Sequence, residues 1–320
     1  MERALTVLQH ELIMRPITGH EELDLFCRLP YVLNRELADD LANDRRRPEW
    51  LWVALRGDRL LARVAWWSRS GDDAPFILDV VDIDDTIPGP DRVEIGSRLL
   101  RTAMAAVLPS GARPPRYSRF TPPHWREDTA ARRAVGDRMA VLERLGARLF
   151  VERLRLEWRP ETPVPKHSGR LTFRPVRTTE EILSMMTSVL DGTLDAHSRD
   201  ELSRMSAREA ADSQYRNELT RYGTPREWWQ VATLPEGEPV GFVIPARNDY
   251  NPVIAYIGVL PQHRGNGYID DILAEGTRIL AGEGAPRIRA ATDLGNIPMA
   301  NAFRRAGYDN FEREINMTWS

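Results

Sequence analysis

Apolar positions recur along this chain with two periods. Short runs of alternating, β-branched or aromatic residues at 51–55, 60–67 and 76–83 predict strands, as do 229–233, 240–245, 253–259 and 287–292. Residues 93–107 and 269–282 place apolar side chains three and four apart, the pattern of amphipathic helices. The order in each half is strand, helical pair, antiparallel strands, helix, strand, helix, strand. Strands mixed with helices in this way predict an α/β or α+β sandwich.

The pattern occurs twice. Leu12-Ile-Met-Arg15-Pro16-Ile17 resembles Leu171-Thr-Phe-Arg174-Pro175-Val176, and Glu49-Trp50-Leu-Trp-Val53-Ala54 resembles Glu227-Trp228-Trp-Gln-Val231-Ala232. The run Gly146 to Trp158 lies over Gly307 to Trp319, with Phe150/Phe311 and Trp158/Trp319 at one shift (311 − 150 = 319 − 158 = 161). Three matches in one order predict a duplicated domain. The proline-rich stretch RPETPVPKHSG (159–169) reads as a semi-extended linker. The expected division is therefore a first domain at 1–159, a linker at 160–169 and a second domain at 170–320.

Composition narrows the function classes. A net charge of −3 gives no overall pull toward nucleic acid or an anionic membrane. Cys27 is the one cysteine, so an internal disulfide or a cysteine metal cluster is excluded. No histidine among His10, His20, His124, His167, His197 and His263 has a metal-ligand spacing, and no metal site is expected. The first sixteen residues are broken by charges, and no apolar run reaches the roughly 20 residues of a membrane helix. The expectation is a cytoplasmic protein. Oligomeric state is not legible.

Chemistry concentrates in the run Ile257-Gly258-Val259-Leu260-Pro261-Gln262-His263-Arg264-Gly265-Asn266-Gly267-Tyr268. An apolar strand stops at proline and a glycine turn opens a helix. Gly265 and Gly267 permit backbone angles and close approaches closed to other residues. Convergent N–H groups at the positive end of a helix, with Arg264 beside them, form an anion cradle. Asp270 and Asp271 follow at once, where carboxylates stabilise a first helical turn by about 0.3–1 kcal/mol.

This run resembles motif A of the GNAT superfamily of N-acetyltransferases, V-x-P-x-x-R-G-x-G, through Val259, Pro261, Arg264, Gly265 and Gly267, with Gln262 opening the inner Q/R-x-x-G-x-G/A. Some thirty residues on, the stretch from Asn296 through Met299, Ala300 and Phe303 to Gly307 and Tyr308 is similar to the later N-x-x-A-x-x-x-Y-x-x-x-G-F pattern. Met299 stands where that pattern has alanine, and Phe303 where many members have tyrosine. The resemblance implies two tandem GNAT-fold domains, each a mixed, largely antiparallel sheet flanked by helices, with acetyl-CoA as acyl donor in the second. It assigns Ile257, Gly258 and Val259 to the pantetheine arm. Gln262, Arg264, Gly265, Asn266, Gly267 and Tyr268 fall to the pyrophosphate, and Asn296 to the thioester end. An acceptor amine of a small molecule would attack the thioester directly. Tyr256, beside the splayed strand, is the candidate acid for the leaving thiolate in place of the absent tyrosine; Tyr308 falls at an aromatic position that is normally core. A non-catalytic acyl-CoA-binding or scaffolding protein, favoured by Phe303, and acetylation of a protein or peptide amine are the alternatives. In the first half, Asp84, Asp85 and Asp91 stand where the basic turn would be, which implies a domain without a cofactor site.

Other features read more plainly. Arg45-Arg46-Arg47 is expected to be a solvated helix end rather than a nucleic-acid patch. The arginine- and aromatic-rich run 112–125 should hold the fifth strand of the first half. Trp66, Trp67, Trp228 and Trp229 belong to core or domain interface. The acid-rich insert around 191–222 reads as helix, either a solvated face or a wall that attracts a cationic acceptor.

Overall fold

The computed structural model describes residues 11–319; His10 and the rest of the first ten residues lie outside them. Contacts divide the chain into two compact units, residues 1–151 with 314–320, and residues 152–313. This differs from a linear division at 159–169.

The first unit opens with β1 (Leu12–Pro16), the short α1 (Leu23–Phe26) and α2 (Leu37–Ala42). Strands β2 (Leu51–Arg56), β3 (Arg59–Trp67) and β4 (Ile77–Ile83) then form an antiparallel series with β1. Helix α3 (Gly89–Val107) crosses over to β5 (Tyr117–Thr121), which pairs with β4 in parallel, and α4 (Thr129–Glu143) leads into β6 (Ala147–Trp158). Apolar side chains of α3, among them Ile95, Leu99 and Leu100, are buried in one core with Val53, Val64 and Val81 of the sheet. Removal of such alternating faces from water is the main force holding the layers together.

The second unit repeats this plan. Strand β7 (Thr172–Pro175) is followed by α5 (Thr179–Val189), α6 (Ala196–Leu202) and α7 (Ala207–Asn217), so the acid-rich insert is helical in two pieces. Strands β8 (Gln230–Thr233), β9 (Pro239–Arg247) and β10 (Pro252–Val259) run antiparallel from β7. Helix α8 (Tyr268–Gly282) crosses to β11 (Ile288–Asp293), parallel to β10, and α9 (Ile297–Arg305) leads to β12 (Asp309–Trp319). The end of β6 pairs with β11 from Ile288↔Trp158 to Asp293↔Arg153, which makes residues 152–158 part of the second unit. The end of β12 belongs to the first unit, where Ser118 donates to Glu314 at 2.7 Å and the Trp319 indole to the Leu145 carbonyl at 2.9 Å.

The repeat extends to side chains. Arg15 donates to both carboxylate oxygens of Glu22 at 2.6 Å, and Glu22 accepts the Thr18 N–H at 2.8 Å. Arg174 meets Glu181 at 2.6 and 3.3 Å, and Glu181 accepts the Arg177 N–H at 2.7 Å. Each pair ties the end of a first strand to the helical segment after it.

One sequence expectation is corrected. Arg46 is not solvated: it is buried, donating to Asp79 at 2.6 and 2.8 Å and to Asp40 at 2.9 Å, while Arg45 also meets Asp40 at 2.9 Å. Two buried acids compensate two guanidinium groups, which is the condition under which charges survive in a core. The proline-rich stretch forms neither helix nor strand and is tied to the second unit by side chains. Arg278 donates to the Pro165 carbonyl at 2.8 Å, Val164 packs on the second core, and Asp271 accepts from the Ser168 amide and hydroxyl at 3.1 and 2.9 Å.

Candidate functional site: the β10 edge and its glycine turn

Strand β10 pairs along its length with β9 but meets β11 only at Val253↔Arg289. Beyond that point the two parallel strands part, and a register shift between Ile254 and Tyr256 bends β10 further. Ile257, Gly258 and Val259 therefore present one backbone edge with no β11 partner. Gly258 fits a close approach on its other side, where a Cβ would sit 3.0–3.3 Å from Val189.

The turn follows directly. Gly265 (φ 83°) and Gly267 (φ 74°) both adopt left-handed angles, and Gly267 caps α8. The N–H groups of residues 265–269 donate to no backbone carbonyl among the described residues. They stand at the positive end of a 15-residue helix, so the donor set fits a phosphate group. Gln262, Gly265, Asn266 and Gly267 are exposed, and Tyr268 is half-buried.

Both acids after the turn face elsewhere. Asp270 pairs with Arg305 at 2.7 Å, and buried Asp271 accepts from Ser168 and from Arg170 at 2.9 Å. His263 lies 3.0 Å from Glu238. Arg264 departs from expectation. Its guanidinium donates to the carbonyls of Asp191 at 2.6 Å, Val189 at 2.9 Å and Val259 at 3.2 Å. It thus ties the turn to the negative C-terminal end of α5, a favourable place for a cation.

The charges of three acids of the insert are felt at Tyr256 on β10. Burial, and then the charges of Asp195, Glu201 and Glu218, push the Tyr256 phenol well above its usual range. Burial, with Asp195 and Glu218 nearby, also raises the Glu201 carboxyl against the opposing pull of Arg204. Asp195 caps α6 through the Ser198 N–H at 2.8 Å, and Glu218 accepts from Tyr222 at 3.0 Å. Asp200, Glu209 and Asp212 instead serve ion pairs or a helix cap on the exposed side, with Asp212 alone 3.5–3.6 Å from Arg208 and Arg216. The insert thus carries exposed ion pairs and also lends negative charge to the surroundings of Tyr256. In the sequence Glu201 is one acid of an acid-rich insert, and its effect on a residue of a distant strand carries no local signal.

Asn296 caps α9, its side chain accepting from the Met299 N–H at 3.4 Å. Phe303 is in the core, 5.1 Å from the Tyr308 ring. The Tyr308 hydroxyl lies 2.8 Å from Thr277 in the same core. Both rings are buried.

The corresponding place in the first unit is filled by its own side chains. Strands β4 and β5 meet only at Leu78↔Tyr117. Beyond it, the Phe120 N–H donates to the Tyr31 hydroxyl at 2.9 Å, Arg138 to the Ile83 carbonyl at 3.0 Å and Arg119 to the Val81 carbonyl at 3.3 Å. Asp82 sits between Arg63 at 2.8 Å and Arg119 at 3.0 Å. Burial opposes its charge, but Arg119, Arg63 and Arg138 together hold its carboxyl below the usual range. Asp84 and Asp85 of the acidic turn pair with Arg59 and Arg138.

The acetyltransferase (GNAT) family model matches residues 194–308. In fold the chain is similar to a GCN5-related N-acetyltransferase from Sphaerobacter thermophilus (TM-score 0.58, 16% identity, covering 96% of this chain and 94% of that one). It is also similar to a tandem GNAT protein from the clavulanic acid biosynthesis pathway (0.53, 16%, 96% and 98%) and to a GCN5-related N-acetyltransferase from Kribbella flavida (0.50, 16%, 91% and 96%). At these identities the likeness is one of fold. No curated protein matches the chain. Residues 194–308 match the family of GNAT acetyltransferases, and the chain has the fold of tandem GNAT proteins. No helix among the described residues is long and apolar enough to cross a membrane, and no described group of side chains could hold a metal ion.

Proposed function

We propose that the second unit transfers an acetyl group from acetyl-CoA directly to the amine of a small molecule. The observation that carries this reading is the parting of β10 from β11 after Val253, which ends in a turn of outward N–H donors. In this reading the free edge of Ile257, Gly258 and Val259 pairs with the pantetheine arm. Gln262 and the turn from Arg264 through Gly265, Asn266 and Gly267 to Tyr268 receive the pyrophosphate, with Arg264 acting through the backbone it fixes. Asn296 borders the thioester end. Bound acetyl-CoA supplies the thioester carbonyl that the amine attacks.

The chain's own groups handle the protons. Glu201, whose raised carboxyl is a stronger base than a solvated one, accepts the proton lost by the ammonium of the acceptor. Tyr256, held protonated at neutral pH by burial, donates its phenolic proton to the sulfur as the carbon–sulfur bond breaks, and its phenolate regains a proton from the nitrogen, which sheds its second proton as the amide forms. Asp195 and Glu218 add negative charge, which favours an acceptor that arrives as a cation.

Buried Phe303, with no hydroxyl to offer, favours a second reading in which the domain binds acyl-CoA without turnover. Thiol release from acetyl-CoA in the presence of small amines, aminoglycosides and peptides separates the two. Release with small cationic amines supports the proposal. Binding without release across the panel leaves the non-catalytic reading, and release with peptides alone moves the acceptor class.

A further inference from the structure

Arg170 lies outside the glycine motif, at the end of the proline-rich stretch, yet it grips the turn from behind. Its Nη1 donates to the Asn266 carbonyl at 2.9 Å, and its Nη2 lies 3.5 Å from the Gly267 carbonyl. The same Nη2 donates to Asp271 at 2.9 Å, and the guanidinium stands 5.2 Å from the Tyr268 ring centre. Asp271 in turn holds Ser168, whose hydroxyl accepts from the Arg170 N–H at 3.2 Å.

Peptide geometry gives this grip a consequence. No described peptide is cis, and in a trans peptide the carbonyl and the following N–H point in opposite directions. The Asn266 carbonyl shares its plane with the Gly267 N–H, and the Gly267 carbonyl shares its plane with the Tyr268 N–H. Holding the Asn266 carbonyl toward Arg170 therefore turns the Gly267 N–H to the opposite face, and the Gly267 carbonyl, which Arg170 shares with the Asp270 N–H at 3.2 Å, turns the Tyr268 N–H the same way. The left-handed angle of Gly267 lets two successive peptides do this at the start of α8.

We infer that Arg170 is a positioning residue for the pyrophosphate of the acyl donor: it aims the Gly267 and Tyr268 N–H groups, and Asp271 holds it in place. The two acids of the first helical turn then divide their work. Asp271 serves the cradle from behind, and Asp270 pairs with Arg305 away from it. This inference rests on the acetyl-CoA reading above, and it predicts a selective effect, because only ligands with a pyrophosphate use the aimed amides.

The test is calorimetric titration of the full chain with acetyl-CoA and with S-acetylpantetheine, which lacks the pyrophosphate. Arg170→Ala should weaken acetyl-CoA by about tenfold or more, the scale of one or two lost hydrogen bonds. Binding of S-acetylpantetheine should stay within about twofold, as no pyrophosphate contact is lost. Arg170→Lys, able to reach one carbonyl, should recover part of the loss, and Asp271→Asn should show a smaller loss of the same selectivity. These two variants carry the test if Arg170→Ala does not fold. Equal loss of both ligands, or unchanged acetyl-CoA affinity, overturns the inference. Failure of the parent chain to bind acetyl-CoA overturns the reading of function instead.

Discussion

The Arg174 guanidinium meets the Glu181 carboxylate at 2.6 Å, seven residues along the chain, as Arg15 meets Glu22 in the first unit. The Arg15 hydrogen bond carries the Glu22 carboxyl down to about 2, and the Arg174 hydrogen bond lowers Glu181 in the same direction. A carboxylate depressed by folding adds stability above its unfolded value, near 4.3, and loses it as pH falls toward the folded value. Urea midpoints measured from pH 6 to pH 2.5 should therefore fall, and Arg15→Gln and Arg174→Gln should each make the fall shallower. A slope unchanged in both variants would show that these pairs add nothing.

Two glycines in helices should respond oppositely to alanine. At Gly276 in α8, a Cβ would lie 2.6 Å from the Val243 Cγ2 and 3.1 Å from the Ile254 Cδ1. Overpacking costs about 1–3 kcal/mol and exceeds the roughly 1 kcal/mol gained in helix propensity. At Gly136 in α4 nothing lies within 4 Å, so the propensity gain stands alone. Urea unfolding should show Gly276→Ala destabilised and Gly136→Ala stabilised by up to about 1 kcal/mol. Stabilisation in both would mean that α8 sits less tightly on β9 than described.

Glu201→Gln removes the proposed base while keeping shape and burial. The kcat for a cationic amine should drop by about 10²–10⁴, with acetyl-CoA affinity unchanged. Because burial raises this carboxyl, the parent's rate should climb with pH above the ordinary carboxylate range, and that limb should vanish in the variant. An unaltered pH profile assigns the proton to another group.

Much of this was legible in the sequence, for reasons that can be named. Alternation of apolar residues marked β2 to β4 and β8 to β11, because each strand buries at least one face. The glycine turn was legible because left-handed angles restrict residue type at Gly265 and Gly267. Passage of β6 and β12 from one unit to the other was not, since the two strands carry the same Phe and Trp spacing and suit either partner. Burial of Arg46 depends on Asp79, 33 residues away, and the work of Arg170 on carbonyls 96 and 97 residues away. Motif reading gave Arg264 a direct charge on the ligand; its bonds to α5 carbonyls follow only from the folded position of that helix.

The central claim is that one acyl-donor site exists per chain, at the β10 edge, while the counterpart cleft is closed by Tyr31, Arg119 and Arg138. Calorimetric titration with acetyl-CoA tests it most directly. The prediction is a stoichiometry of one, with a melting-temperature rise that corresponds to about 2.7 kcal/mol at a hundredfold excess over Kd. Gly265→Val, which cannot adopt the left-handed angle without strain, should abolish both. No binding by the parent chain, two sites per chain, or undiminished binding by Gly265→Val would contradict it.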